Sequence, residues 1–183
     1  MKRELTLTDI AGYLPHGLKV VYKNARHYGV FDIEIGKRRT SEGLCYYLEE
    51  NELPVLRPMS DIYVEITERG YNDGKPIVPI LEIGKLSGYD CIKKYETEGV
   101  TEYGFECRNA DDVQGYVFGW CQTTQSFGVW YDHIDDEMPS VESMIMNTDI
   151  FDLFHRLHLD YRGLIPAGLA VSVHDLPTNP YEA

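Results

Sequence analysis

Residues 103–132 carry the strictest hydrophobic alternation in the chain. Three short runs, "YGFECR", "GYVFGWC" and "FGVWYD", are separated by the polar stretches "NADDVQ" and "TTQS". Period-two alternation between polar turns predicts a meander of antiparallel strands. The period puts Tyr103, Phe105 and Cys107 on one face of the first strand. It puts Tyr116, Phe118 and Trp120 together on the second, and Phe127, Val129 and Tyr131 together on the third. Gly104, Gly119 and Gly128 fall on the opposite positions, where small residues let another layer approach and Trp130 can cover them.

Weaker patterns fill in the rest. Residues 18–23 and 28–35 are rich in Val, Ile, Tyr and Phe around a polar break, which reads as a hairpin. Ser60 and Asp61 suit the cap of a helical turn. "YVEIT" then reads as a strand, "YNDGK" as a turn and "PIVPI" as a second strand, held to a sheet edge by its prolines. A short helix is expected over about 80–87. "LTLTDIAGYLP" predicts another, with Thr8 as N-cap, Asp9 at its positive end and Pro15 as its stop.

Helical spacing returns near the C-terminus. Ile150, Leu153, Phe154, Leu157 and Tyr161 fall on one stripe, predicting an amphipathic helix over 149–162. Thr148 or Asp149 would cap it, Gly163 sits where a left-handed C-cap belongs, and Pro166 follows. "GLAVSV" suits a final strand, and the polar, proline-bearing "LPTNPYEA" a loose tail. The expected fold class is α+β: antiparallel meander and hairpins packed by the C-terminal amphipathic helix, with one or two short helices. One domain is expected over 1–176, with a loose tail over 177–183.

Charge narrows the function classes. Thirty acidic against 17 basic residues leave a net charge of -13. Such a balance repels phosphate backbones, so direct nucleic-acid binding is not expected and a basic protein partner suits better. Aromatic sheet faces do stack on bases in RNA-binding domains, but there basic residues hold the phosphates. Here the flanking loops carry Asp111, Asp112, Asp132, Asp135, Asp136 and Glu137, so the aromatic face is read as core. The one basic cluster, Lys37, Arg38 and Arg39, reads as a solvated loop. No long apolar run suits a membrane span, and the opening "MKRELTLTDIAGYL" has no apolar stretch behind its basic residues. The expectation is a cytoplasmic chain. Cys45, Cys91, Cys107 and Cys121 form no CxxC pair and are expected to be reduced, buried thiols.

Two stretches invite a metal reading. "FHRLHLD" holds His155, His158 and Asp160. On a helix, His158 lies at the border of the apolar stripe and His155 beyond it, toward solvent and one turn from Asp152. Asp160 falls on the other side, about 140° from His155, so the three do not converge. Zinc helices usually offer ligands at i and i+4, which a lone HxxH lacks. The acidic loop "YDHIDDEMP" adds His133 to Asp132, Asp135, Asp136 and Glu137, oxygens a hard cation accepts, but without EF-hand spacing. The alternative reading is a metal-dependent hydrolase or nuclease that joins His133, Asp135, Asp136, His155 and His158. It requires the fold to bring the two stretches together. Phosphate loops, nucleotide fingerprints, nucleophile elbows and HExxH are absent, so no cofactor is expected.

"LTLTDIAGYLPHGLKV", "LRPMSDI" and "LHLDYRGLIPAGLAVSVHDL" together resemble a group of short proteins encoded in gut Bacteroidetes genomes and their phages or prophages. The resemblance spans most of the chain and is weakest over 88–147. It implies a setting, that of a phage or mobile-element accessory protein, and brings no catalytic residues with it. The reading that combines these strands is a small acidic interaction protein binding a basic protein partner in the bacterial cytoplasm.

Overall fold

The computed structural model describes residues 3–22, 30–33, 36–40, 43–47, 52–86, 89–97, 100–107, 115–121, 126–131, 141–142 and 148–182. The fold is α+β, as the alternation and helical stripe imply. The chain divides into two compact units. One comprises Met1–Pro58 with Phe154–Ala183, the other Met59–Leu153.

The first unit opens on a short helix, α1 (Leu7–Ile10), which runs into a 3-10 turn over Ala11–His16. Its N-cap is Thr6, not Thr8. The Asp9 carboxylate reaches back to accept from the Thr6 amide at 2.9 Å and the Thr6 hydroxyl at 2.8 Å. Pro15 does not stop this segment but lies inside the 3-10 turn, which ends one residue past His16 at Gly17 in the left-handed region. Strands β1 (Lys19–Tyr22) and β2 (Val30–Asp32) form the expected hairpin, and β3 (Gly36–Thr40) pairs with β4 (Gly43–Tyr47) in a separate one.

One of the two inner strands of this sheet, β5 (Glu52–Leu56), carries no alternation in the sequence. It pairs antiparallel with β1 on one side and parallel with a two-residue strand (Val171–Ser172) on the other. Pro54 is tolerated inside the sheet because the parallel pairing starts only at Val55, beyond the residue that lacks an N–H. The four-stranded order puts β2 at one edge. Ile10, Tyr13, Leu18, Leu56, Leu164, Leu169 and Ala170 form one buried cluster, and Val21, Val55, Val173 and Tyr181 another.

In the second unit the segment expected as two strands is different. Met59–Tyr63 is a 3-10 turn, and "YVEIT" meets "PIVPI" in a single bridge, Ile66 to Ile77, through reciprocal amide bonds of 2.8 and 2.9 Å. Asn72, Asp73 and Gly74 all take positive φ between them, the turn their types suit. Pro79 opens helix α2 (Pro79–Leu86) at the first turn, where the missing N–H costs nothing. Five antiparallel strands follow: β6 (Tyr89–Thr97), β7 (Val100–Cys107), β8 (Gly115–Cys121), β9 (Ser126–Tyr131) and β10 (Val141–Glu142). The three runs read from alternation are β7 to β9. Their register sets Tyr103 opposite Phe118 and Phe118 opposite Val129, with Trp120 opposite Phe127 and Gly119 opposite Gly128. The aromatic positions assigned to one face of each strand thus fall in line across the ladder.

Helix α3 (Thr148–Arg156) begins where expected and ends six residues early. Ile150, Leu153, Phe154 and Leu157 of its stripe are buried. The final strand is only Val171–Ser172, called β11 below.

Candidate functional site

Of the titratable residues singled out in "FHRLHLD", His155 lies in the last turn of α3, and His158 and Asp160 lie just after it. The helix closes in a left-handed turn at His158, φ 55°. The His158 amide donates to the His155 carbonyl at 3.2 Å, and the Leu159 amide to the Phe154 carbonyl at 2.9 Å. These two bonds are the Schellman closure, with fully buried Phe154 and Leu159 as its apolar pair. Glycine is the usual residue there; a side chain in this conformation costs roughly 1–2 kcal/mol. Gly163 therefore is not the cap of α3. Its own positive φ belongs to the next turn, where the Gly163 amide meets the Asp160 carbonyl at 3.3 Å.

A tertiary contact enforces the early stop. Arg57, just past β5, forms a parallel bridge with Leu159. The Arg57 amide donates to the His158 carbonyl and the Asp160 amide to the Arg57 carbonyl, both at 2.8 Å. Backbone used in this way cannot continue a helix.

The bridge drives the His158 side chain inward. It is fully buried, not at a helix border. Its ring stacks on Tyr181 at 3.8 Å between centroids and 10° between planes, and lies near-parallel to Tyr13 at 6.5 Å. Tyr13 donates its hydroxyl to the Leu159 carbonyl at 2.7 Å, and burial pushes that phenol well above its ordinary range. Tyr181 lies within the stretch expected to be loose. It is buried, donates to the Val55 carbonyl at 2.8 Å and accepts from the Lys19 amide at 3.1 Å. The buried Arg57 guanidinium sits 5.8 Å from the Tyr181 ring.

Asp160 is held by backbone amides. Its carboxylate accepts from the Leu164 amide at 2.8 Å and the Ile165 amide at 2.7 Å, which fixes the turn that leads to β11. Burial pushes its carboxyl above the ordinary value, although the Ile165 and Leu164 amides pull the other way.

His155 is half-buried where the helical wheel places it toward solvent. Its Nε2 lies 2.9 Å from Tyr161 Oη, and its ring meets Tyr13 edge-on at 4.9 Å and 78°. Arg162 Nε donates to the same Tyr161 hydroxyl at 3.0 Å.

The two histidines thus serve different surroundings. Among the described residues, no group of three or more His, Cys, Asp or Glu side chains could hold a metal ion. His133, Asp135 and Asp136 of the alternative metal set, with Asp132 and Glu137 beside them, lie outside the described residues. The sequence pattern places Tyr161 on the apolar stripe of the helix and singles out none of Arg57, Tyr13 and Tyr181. Only one signal pointed to any of them: a lone arginine inside the apolar run "PVLRPM".

Comparison with family models, with curated proteins and with solved structures finds no match to this chain. No helix among the described residues is long and apolar enough to cross a membrane.

Proposed function

We propose that this is a small acidic interaction protein, non-enzymatic in that role, whose β2 edge takes up a segment of a basic protein partner. The observation that carries the reading is the exposure of β2. Val30 and Phe31 are 38% and 45% exposed, and Phe31 packs edge-on against Tyr22, itself 38% exposed, at 5.3 Å. Among the described residues no strand pairs with the outer side of β2. An open edge with apolar side chains is a template for strand addition. The net charge of -13 favours a partner of opposite sign and raises its rate of encounter. The resemblance to proteins of gut Bacteroidetes and their phages supplies the setting, the bacterial cytoplasm and a host or element protein.

The test uses two labelled peptides, one alternating valine with lysine and one alternating valine with glutamate. The lysine peptide binds, binding weakens as salt rises, and Phe31→Asp abolishes it. Equal binding of both peptides, or unchanged binding by Phe31→Asp, overturns the reading. Phe31 is exposed, so the variant should still fold.

A further inference from the structure

The hydrogen bonds at Tyr161 have a direction. A guanidinium Nε can only donate, so Arg162 occupies a lone pair of Tyr161 Oη. When His155 is neutral with its proton on Nδ1, the Tyr161 hydroxyl proton points at Nε2, 2.9 Å away. The hydroxyl is then polarised from both sides. A base stands ready for its proton, and a fixed cation stands beside the oxygen that would be left negative.

The base is itself held in place. The His155 ring lies over Gly12 so closely that a Cβ there would sit 2.3 Å from Cε1 and Nε2. Tyr13 meets the ring on its edge. A nucleophile, a base within hydrogen-bond reach and a third group that orients the base make up the general pattern of an activated nucleophile. Access exists as well: Tyr161 is half-buried and Arg162 exposed. The Asp160 carboxylate next to Tyr161 in the chain is taken up by the Leu164 and Ile165 amides.

We infer that Tyr161 is a nucleophile toward phosphoryl electrophiles, with His155 as its base and Arg162 as the group that holds the anion. Tyr161 Oη attacks phosphorus and an O–P bond forms. The bond from phosphorus to the leaving group breaks, and the leaving group departs with the electron pair. The hydroxyl proton moves to His155 Nε2. Nothing is oxidised or reduced, and the product is a phosphorylated Tyr161. This inference goes beyond the interaction reading and does not depend on it, since neither β2 nor a protein partner enters the chemistry.

The test is labelling of the full chain with a fluorophosphonate probe, whose leaving group is fluoride, read by peptide mass spectrometry. The chain has 14 tyrosines, so the other 13 serve as internal standards. Tyr161 should label about 100-fold faster than their mean, the scale of general-base assistance. Denaturation should erase the preference. His155→Gln should lower the Tyr161 rate toward that of the others, and Arg162→Ala should lower it about 100-fold, the scale of losing one charge-stabilising donor. Arg162 is exposed, so its variant keeps the test sound even if His155→Gln unfolds. Labelling spread evenly over the tyrosines, or an unchanged Tyr161 rate in folded Arg162→Ala, overturns the inference.

Discussion

The imidazole of His155 rests directly on the backbone of Gly12. A methyl group at position 12 would lie 2.3 Å from two ring atoms and 2.6 Å from a third. Gly12 sits in the 3-10 turn of Ala11–His16, where an alanine would otherwise gain about 0.5–1 kcal/mol over glycine. The contact reverses that sign. Gly12→Ala must displace the ring and break its bond to Tyr161, at about 1–3 kcal/mol for overpacking. Urea unfolding reads the difference, and a variant as stable as the parent would contradict the contact.

His158 separates two energies that oppose one another. Its left-handed backbone favours glycine, while its ring is stacked between Tyr181 and Tyr13. His158→Ala loses the ring and keeps the unfavourable backbone. His158→Gly loses the ring and relieves it. Both should be destabilised by about 2–4 kcal/mol, the scale of a cavity left by a large buried side chain. The glycine variant should be the more stable of the two by about 1 kcal/mol. Equal stabilities would mean that the turn at His158 is not left-handed.

These sites show how much of the structure was legible beforehand. The meander was legible because alternation is local: each of β7, β8 and β9 declares its own faces. The end of α3 was not, because the apolar stripe continues on paper through Tyr161 and Gly163 offers an obvious stop. What ends the helix is Arg57, about a hundred residues earlier in the chain. β5 was hidden by Pro54 and by a charged neighbour that reads as surface. Tyr181 was hidden by the two prolines that precede it, Pro177 and Pro180. The histidine pair was legible as residues but not as a site, since their fates depend on Gly12, Tyr13 and Tyr181, which only the fold brings near them.

Tyr181 ties the C-terminal segment to β1 and β5 through one hydroxyl. Tyr181→Phe removes a donor from the Val55 carbonyl and an acceptor from the Lys19 amide. The loss should be about 1–3 kcal/mol, because buried backbone groups lose their partners. Tyr181→Ala should cost more, since the ring that faces His158 is lost too. Amide hydrogen exchange at Lys19 checks the mechanism: it should quicken in Tyr181→Phe while exchange in the second unit stays unchanged.

Two carboxylates should give stability of opposite pH dependence. Asp9 is partly desolvated, which raises its pKa, but its bonds to Thr6 and to Arg3 outweigh that and hold it below the ordinary 3.8. Its folded form binds the proton less tightly than the unfolded chain. The stability it contributes is therefore present above about 3.8 and is lost as pH falls through the depressed folded value. Asp160 has the reverse shift, raised by burial from 3.8. Between 3.8 and its higher folded value the folded chain binds more protons, so its contribution declines as pH rises through that window. At neutral pH, Asp160→Asn should still cost about 1–3 kcal/mol, because an amide nitrogen would then face a backbone N–H. Urea midpoints of the parent, Asp9→Asn and Asp160→Asn across pH 3–7 read both signs. The deficit of Asp9→Asn should shrink toward low pH and that of Asp160→Asn should grow. Parallel curves would show that neither carboxylate is held as the structure holds it.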